Sequence, residues 1–254
     1  MTPESIPSVE PQPAEMGEFS RLTGVFFEPK NAFEAIGKRP RWLIPLLLTI
    51  VASLAFYYFY GQHVGWERFL RHQMETSQRM QQQMAQMPPE QRERTQAMQV
   101  KVMGFAYYGG VIIMTPVIYL ISAAVLLGIA SGMMGAGLKF KQVFAIVCYA
   151  GLPMIIKQLL AIVVMFLKNP DDFNLTNPLA FNPAAFMDPL NTSKFLYTIA
   201  TAVDVFSIWI ILLTALGLSA VAGKRLSFGS ALVAVLVPWV AIVLFGASMA
   251  SIFA

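Results

Sequence analysis

The sequence predicts an all-α membrane protein with five transmembrane helices, and three observations carry that prediction. Apolar residues make up 56% of the chain and charged residues 13%, against roughly 45–50% and 25% in an average soluble domain. Five stretches, about 42–60, 105–130, 144–167, 195–222 and 228–253, are predominantly apolar, and about 20 such residues cross a bilayer. Charges and aromatic residues gather at the ends of these stretches, as they do at membrane interfaces. The net charge of +4 is spread over every loop, which fits flanking charge at a headgroup layer and not a nucleic-acid footprint. The single cysteine, Cys148, lies inside a span, so no intrachain disulfide forms and the thiol packs as a small apolar group. The first 41 residues lack the pattern of a cleavable signal peptide, so the first span is expected to serve as an uncleaved insertion signal.

Residues 1–18 hold four prolines among acidic and small residues, a composition that predicts a disordered tail. In residues 19–41, Phe19, Leu22, Phe26, Phe33 and Ile36 fall at helical spacing around Pro29, with Gly37 as the expected stop. Two readings fit this juxtamembrane segment: an amphipathic helix lying in the headgroup layer, or a helix packed beneath the membrane domain. Trp42 and the aromatic group Phe56, Tyr57, Tyr58 and Tyr60 bracket span one.

Residues 61–104 are polar and rich in Gln and Met. Trp66, Leu70, Gln73, Ser77, Met80, Met84 and Met87 step by four and three residues, the spacing of a heptad seam. Pro88-Pro89 interrupts the pattern, and a second helical pattern runs through Thr95, Met98 and Val102. The expectation is an extramembrane helical hairpin. Met80, Met84 and Met87 share one face, which packing explains without a soft metal ion, and His63 and His72 have no neighbouring ligand set. Pro116 interrupts span two, and Gly128 and Gly132 form a small-residue pair that permits close helix approach.

The loop 168–194 contains Asn169-Pro170, Asn177-Pro178, Asn182-Pro183 and Asp188-Pro189, each a turn initiator, so a compact cap is expected. Asp171, Asp172 and Asp188 lack the regular spacing of a calcium loop. Pro153 and Pro238 mark kinks in spans three and five. The short turns carry Lys139 and Lys141, and Lys224 and Arg225, without an acid. With the cluster Lys38, Arg39 and Arg41 they place the N-terminus in the cytoplasm.

Two spans hold a charge. Lys157 lies ten residues from the end of span three at Leu167, and Asp204 lies nine residues from the start of span four at Phe195. In antiparallel helices both fall about 14–15 Å below one face. A lone charge at mid-bilayer costs about 2.5–3.5 kcal/mol on insertion scales, so a Lys157–Asp204 ion pair is expected, structural in one version and a proton or ion relay in the other. Reversing both charges is expected to restore expression lost by reversing either. The sequence contains no Gly-rich phosphate loop, zinc spacing, catalytic triad or paired catalytic carboxylates, so no enzyme, cofactor or metal site is predicted.

Three stretches carry a family likeness. Phe26–Ile36 (FFEPKNAFEAI) is similar to an aromatic–x–Pro–x–x–x–Phe–x–x–Ile element before span one, Tyr149–Pro153 (YAGLP) to a Tyr…Pro element of span three, and Trp209–Ala231 to a closing pair of spans with a short basic turn. In this order, over residues 19–254, they resemble the Yip (Ypt/Rab-GTPase-interacting protein) domain family in its bacterial form. The resemblance implies five membrane helices, a cytoplasmic N-terminus and an extracytoplasmic C-terminus. Eukaryotic relatives bind prenylated Rab-type GTPases, a role that bacteria have no use for, and the family motif implies no catalytic or ligand residue. Together these readings predict a non-enzymatic interaction or scaffolding component of the bacterial inner membrane. Its partners would be the lipid bilayer and a membrane or peripheral protein, with self-association as a further option. The alternative is a transporter or channel component that uses Lys157 and Asp204.

Overall fold

A computed structural model of the chain describes residues 16–76, 78–188 and 191–252. Residues 1–15 of the expected tail, Ser77 of the heptad seam, Pro189 and Leu190 of the loop, and Phe253 of span five with Ala254 lie outside the described residues. Among the described residues the chain is helical, without strands. The helices are α1 (Glu18–Phe27), α2 (Pro29–Lys38), α3 (Leu43–His63), α4 (Trp66–Thr76), α5 (Gln78–Ala85), α6 (Pro89–Leu127), α7 (Phe140–Ala150), α8 (Pro153–Leu167), α9 (Lys194–Ala202), α10 (Val205–Ala222) and α11 (Phe228–Ile252). Five segments are long and apolar enough to cross a membrane: Leu43–His63, Pro89–Met133, Phe140–Leu167, Val205–Arg225 and Phe228–Ile252.

The juxtamembrane segment is two helices that meet at Glu28. Pro29 opens α2, where its missing N–H would be unpaired in any case. Helix α2 runs through Gly37 to Lys38 instead of stopping at the glycine. Phe33 and Ile36 are fully buried, and α2 packs against α10 and α7. The segment is therefore part of the bundle's core. Gly217 on α10 is the reason it fits: a Cβ there would lie 2.6 Å from Ile146 Cγ2 and 3.0 Å from Phe33 Cδ1.

Helix α6 differs most from the expected layout. Its 39 residues run without a break from Pro89 through Pro116, about 58 Å at 1.5 Å per residue and roughly twice the hydrocarbon thickness. The second arm of the hairpin and span two are one rod. Helix α4 folds back on it, burying Phe69 and Leu70. The Trp66 indole stacks on Tyr107 at 4.9 Å and lies against both Gly61 and Gly104, closing the base of the hairpin. A Cβ at Gly128 or Gly132 would instead meet open space among the described residues, and the backbone there widens into a π-helical turn, Gly128–Met133.

Spans three and four are each broken. Pro153 cannot donate to Tyr149 and its ring clashes with that carbonyl, so α7 ends at Ala150 and α8 starts at Pro153. The fourth stretch, expected as one helix over 195–222, is α9 and α10 separated at Val203-Asp204. Both halves pack along α11, whose 25 residues continue through Pro238. The loop after α8 forms the expected turn-rich cap: Asn169 accepts from Asp171 N, and the side chains of Asn177 and Asn182 bond to each other. The cap closes over a second core that contains Tyr60, Phe69, Met165, Phe173, Leu179 and Phe206.

Candidate functional site

The break between α9 and α10 places the charged pair. Asp204 is extended and is the N-cap of α10. A helix start leaves its first N–H groups unpaired, and here each finds an acceptor. Val205 N donates to the cap carbonyl of Phe181 at 3.2 Å. Phe206 N and Ser207 N donate to Asp204 Oδ1 at 2.8 and 3.0 Å. Lys157 Nζ reaches Asp204 Oδ2 at 2.6 Å, and Ser207 Oγ donates to the same oxygen at 3.2 Å. The Asp204 side chain is 6% exposed and that of Lys157 24%. The positive end of the α10 dipole adds to the attraction. A carboxylate with four donors is a saturated acceptor: this arrangement binds a broken helix to its neighbour.

Asp204 therefore sits at a helix terminus and not within one continuous helix over 195–222, as the sequence had it. An N-cap signal, Asp before an apolar helical run, was present in the sequence; the unbroken hydropathy hid it. Beside the pair, Gln158 Nε2 donates to Ser53 Oγ at 2.6 Å, and Ser53 Oγ donates to the Thr49 carbonyl at 2.8 Å. This joins α8 to α3 through polar groups on their shared face.

A second polar cluster was not read from the sequence at all. Glu18, assigned there to the tail, opens α1. Its Oε2 accepts from Tyr149 Oη at 3.0 Å and its Oε1 from Arg41 Nη1 at 3.0 Å. Arg21 is 5% exposed and donates to the carbonyls of Met16 and Arg39. These bonds fasten α1 to α7 one turn before the Pro153 break. Their partners are 131 and 18 residues apart, beyond any local pattern.

At the other end Arg68 Nε meets Asp171 Oδ1 at 2.7 Å and joins α4 to the cap. Both side chains are largely exposed, and pairs of that kind contribute about 0–1 kcal/mol. Arg68→Ala is expected to shift the thermal midpoint of the purified protein by a few degrees at most, and less at high salt. Among the described residues no three His, Cys, Asp or Glu side chains gather where they would hold a metal ion.

A helical bundle with five membrane-length helices, a capped end and a buried ion pair defines a multi-pass membrane protein. The Yip1 domain family model matches residues 23–250, and the chain belongs to that family. No curated protein and no solved structure matches the chain.

Proposed function

We propose that this protein is a non-enzymatic interaction or scaffolding component of the bacterial inner membrane, with its N-terminus in the cytoplasm. The observation that carries the reading is the hairpin arm on α6. Met98 is 70% exposed and Val102 is 55% exposed, on a rod that continues well past the length a bilayer needs. Lipid shields apolar side chains inside the hydrocarbon, but these two stand one turn apart on the same face of the polar arm, where together they offer a partner protein an apolar contact. The saturated Asp204 carboxylate supports a structural part for the ion pair. The three basic segments at one end of the bundle support the orientation.

The test is in-membrane crosslinking with mild-detergent affinity purification, comparing wild type with a chain lacking residues 62–103. Gly61 and Gly104 flank the same indole, so the deletion rejoins neighbouring backbone. A stoichiometric protein partner is expected with wild type and is expected to be lost with the deletion. Wild-type protein that purifies without any other protein would overturn the reading.

One observation favours a second reading, a transporter or channel component. Discontinuous helices at an intramembrane charge are a feature of ion and solute sites in transporters, and here the α9/α10 break holds the pair with Lys157. Ion flux in proteoliposomes that disappears when both charges are neutralised would establish it.

A further inference from the structure

Three basic turns, far apart in sequence, converge on one end of the bundle. Gln142 Nε2 donates to the Gly37 carbonyl at 2.9 Å, which ties the last turn of α2 to the first turn of α7. Gly37 packs directly on Val221, where a Cβ would lie 2.7 Å from both methyl groups, so the end of α10 joins the same contact. The Arg225 guanidinium rests on Gly137, a glycine with φ +70°, in the turn that leads to Lys139. Lys139, Lys141, Lys224 and Arg225 are all exposed, and the turns that bear them contain no carboxylate. Glu18, which bonds to Arg41 of the first basic segment, is also occupied by Tyr149.

The depth of these cations decides what meets them. Lys139 immediately precedes α7, and Lys224 and Arg225 fill the short link from α10 to α11. Phe140 and Phe228 stand beside them, half exposed, as the first residues of two membrane-length helices. Cations at span ends, in turns too short to stand clear of the bilayer, lie among headgroups, and the phosphate groups of lipids are the anions at that level.

We propose that this end of the protein is a binding surface for anionic phospholipid headgroups, formed by the turn before α7 and the α10–α11 link. Charge complementarity with exposed, acid-free turns sets its preference for anionic over zwitterionic lipid. The surface does not depend on the scaffold or transport reading.

The test reconstitutes the full chain into vesicles of equal phosphatidylglycerol and phosphatidylcholine, extracts it in mild detergent and counts retained lipid by mass spectrometry. Wild type is expected to retain phosphatidylglycerol in preference. The preference should fall about tenfold between about 0.1 M and 1 M salt, as the Debye length shrinks from about 10 to 3 Å. The variant K139Q/K141Q/K224Q, which leaves Arg225 on Gly137, should lose the preference, and the matched variant R94Q/K101Q/K168Q should keep it. Equal retention of the two lipids by wild type at low salt would overturn the proposal whether or not the variants fold. So would equal loss in both variants.

Discussion

Removing one charge of the Lys157–Asp204 pair is expected to destabilise the protein by about 3–5 kcal/mol, the range for a buried pair left with one ion uncompensated. Lys157→Met strands Asp204, which is nearly sealed from solvent, although Phe206 N, Ser207 N and Ser207 Oγ still donate to it. Asp204→Asn keeps a side chain that caps a helix well and strands the Lys157 ammonium, which is 24% exposed and so partly hydrated. Asp204→Asn should therefore sit at the low end of the range. The neutral double variant K157M/D204N should recover most of the loss, because it removes both desolvated charges and retains the cap. Thermal unfolding in detergent checks this, at about 2–4 °C per kcal/mol for a chain of this size. A double variant as unstable as the sum of the singles would contradict the pairing energetics. The charge swap K157D/D204K, expected from sequence to restore expression, should now rescue only in part. A lysine at 204 has no acceptor for Phe206 N and Ser207 N, and its ammonium faces the positive end of the α10 dipole. The lost cap alone costs about 0.5–2 kcal/mol.

Phe33→Ala is the second large expected effect. The Phe33 ring is fully buried and seated on Gly217, so truncation should destabilise by about 3–5 kcal/mol through lost transfer energy and a residual cavity. The loss should concentrate in the docking of α1 and α2. Limited proteolysis should cut near Lys38–Arg41 in the variant before it cuts the spans, whereas wild type resists there. Gly217→Val approaches the same contact from the other side, crowding Ile146 and Phe33, and should give the same early cut. A Phe33→Ala protein with wild-type stability and cleavage would mean that α1 and α2 lie free on the bilayer, the other reading of their amphipathic spacing.

The stretches that carried the likeness acquire a physical content from these contacts. Phe33 and Ile36 are the residues that dock α2, Tyr149 holds Glu18, and Pro153 sets the break between α7 and α8. Glu18 and Arg21 complete the same clamp, yet neither stands in the stretches that carried the likeness.

Hydropathy alone was enough to read the class of fold and the number of membrane-length helices, because burial in hydrocarbon is a property of composition over some 20 residues. Proline chemistry, a local matter, made the break at Pro153 legible. The break at Asp204 was missed because Val203-Asp204-Val205 is flanked by apolar residues on both sides, and the distant Phe181 carbonyl and Lys157 ammonium help to make a helix terminus tolerable there. The docking of α2 was also undecided in the sequence, since an amphipathic face fits lipid and protein equally well. Gly217, 184 residues after Phe33 by its number, settled it by leaving room for a ring. Tertiary structure decided these points because each depends on whether a partner from a distant segment arrives to satisfy a charge, an N–H group or a cavity.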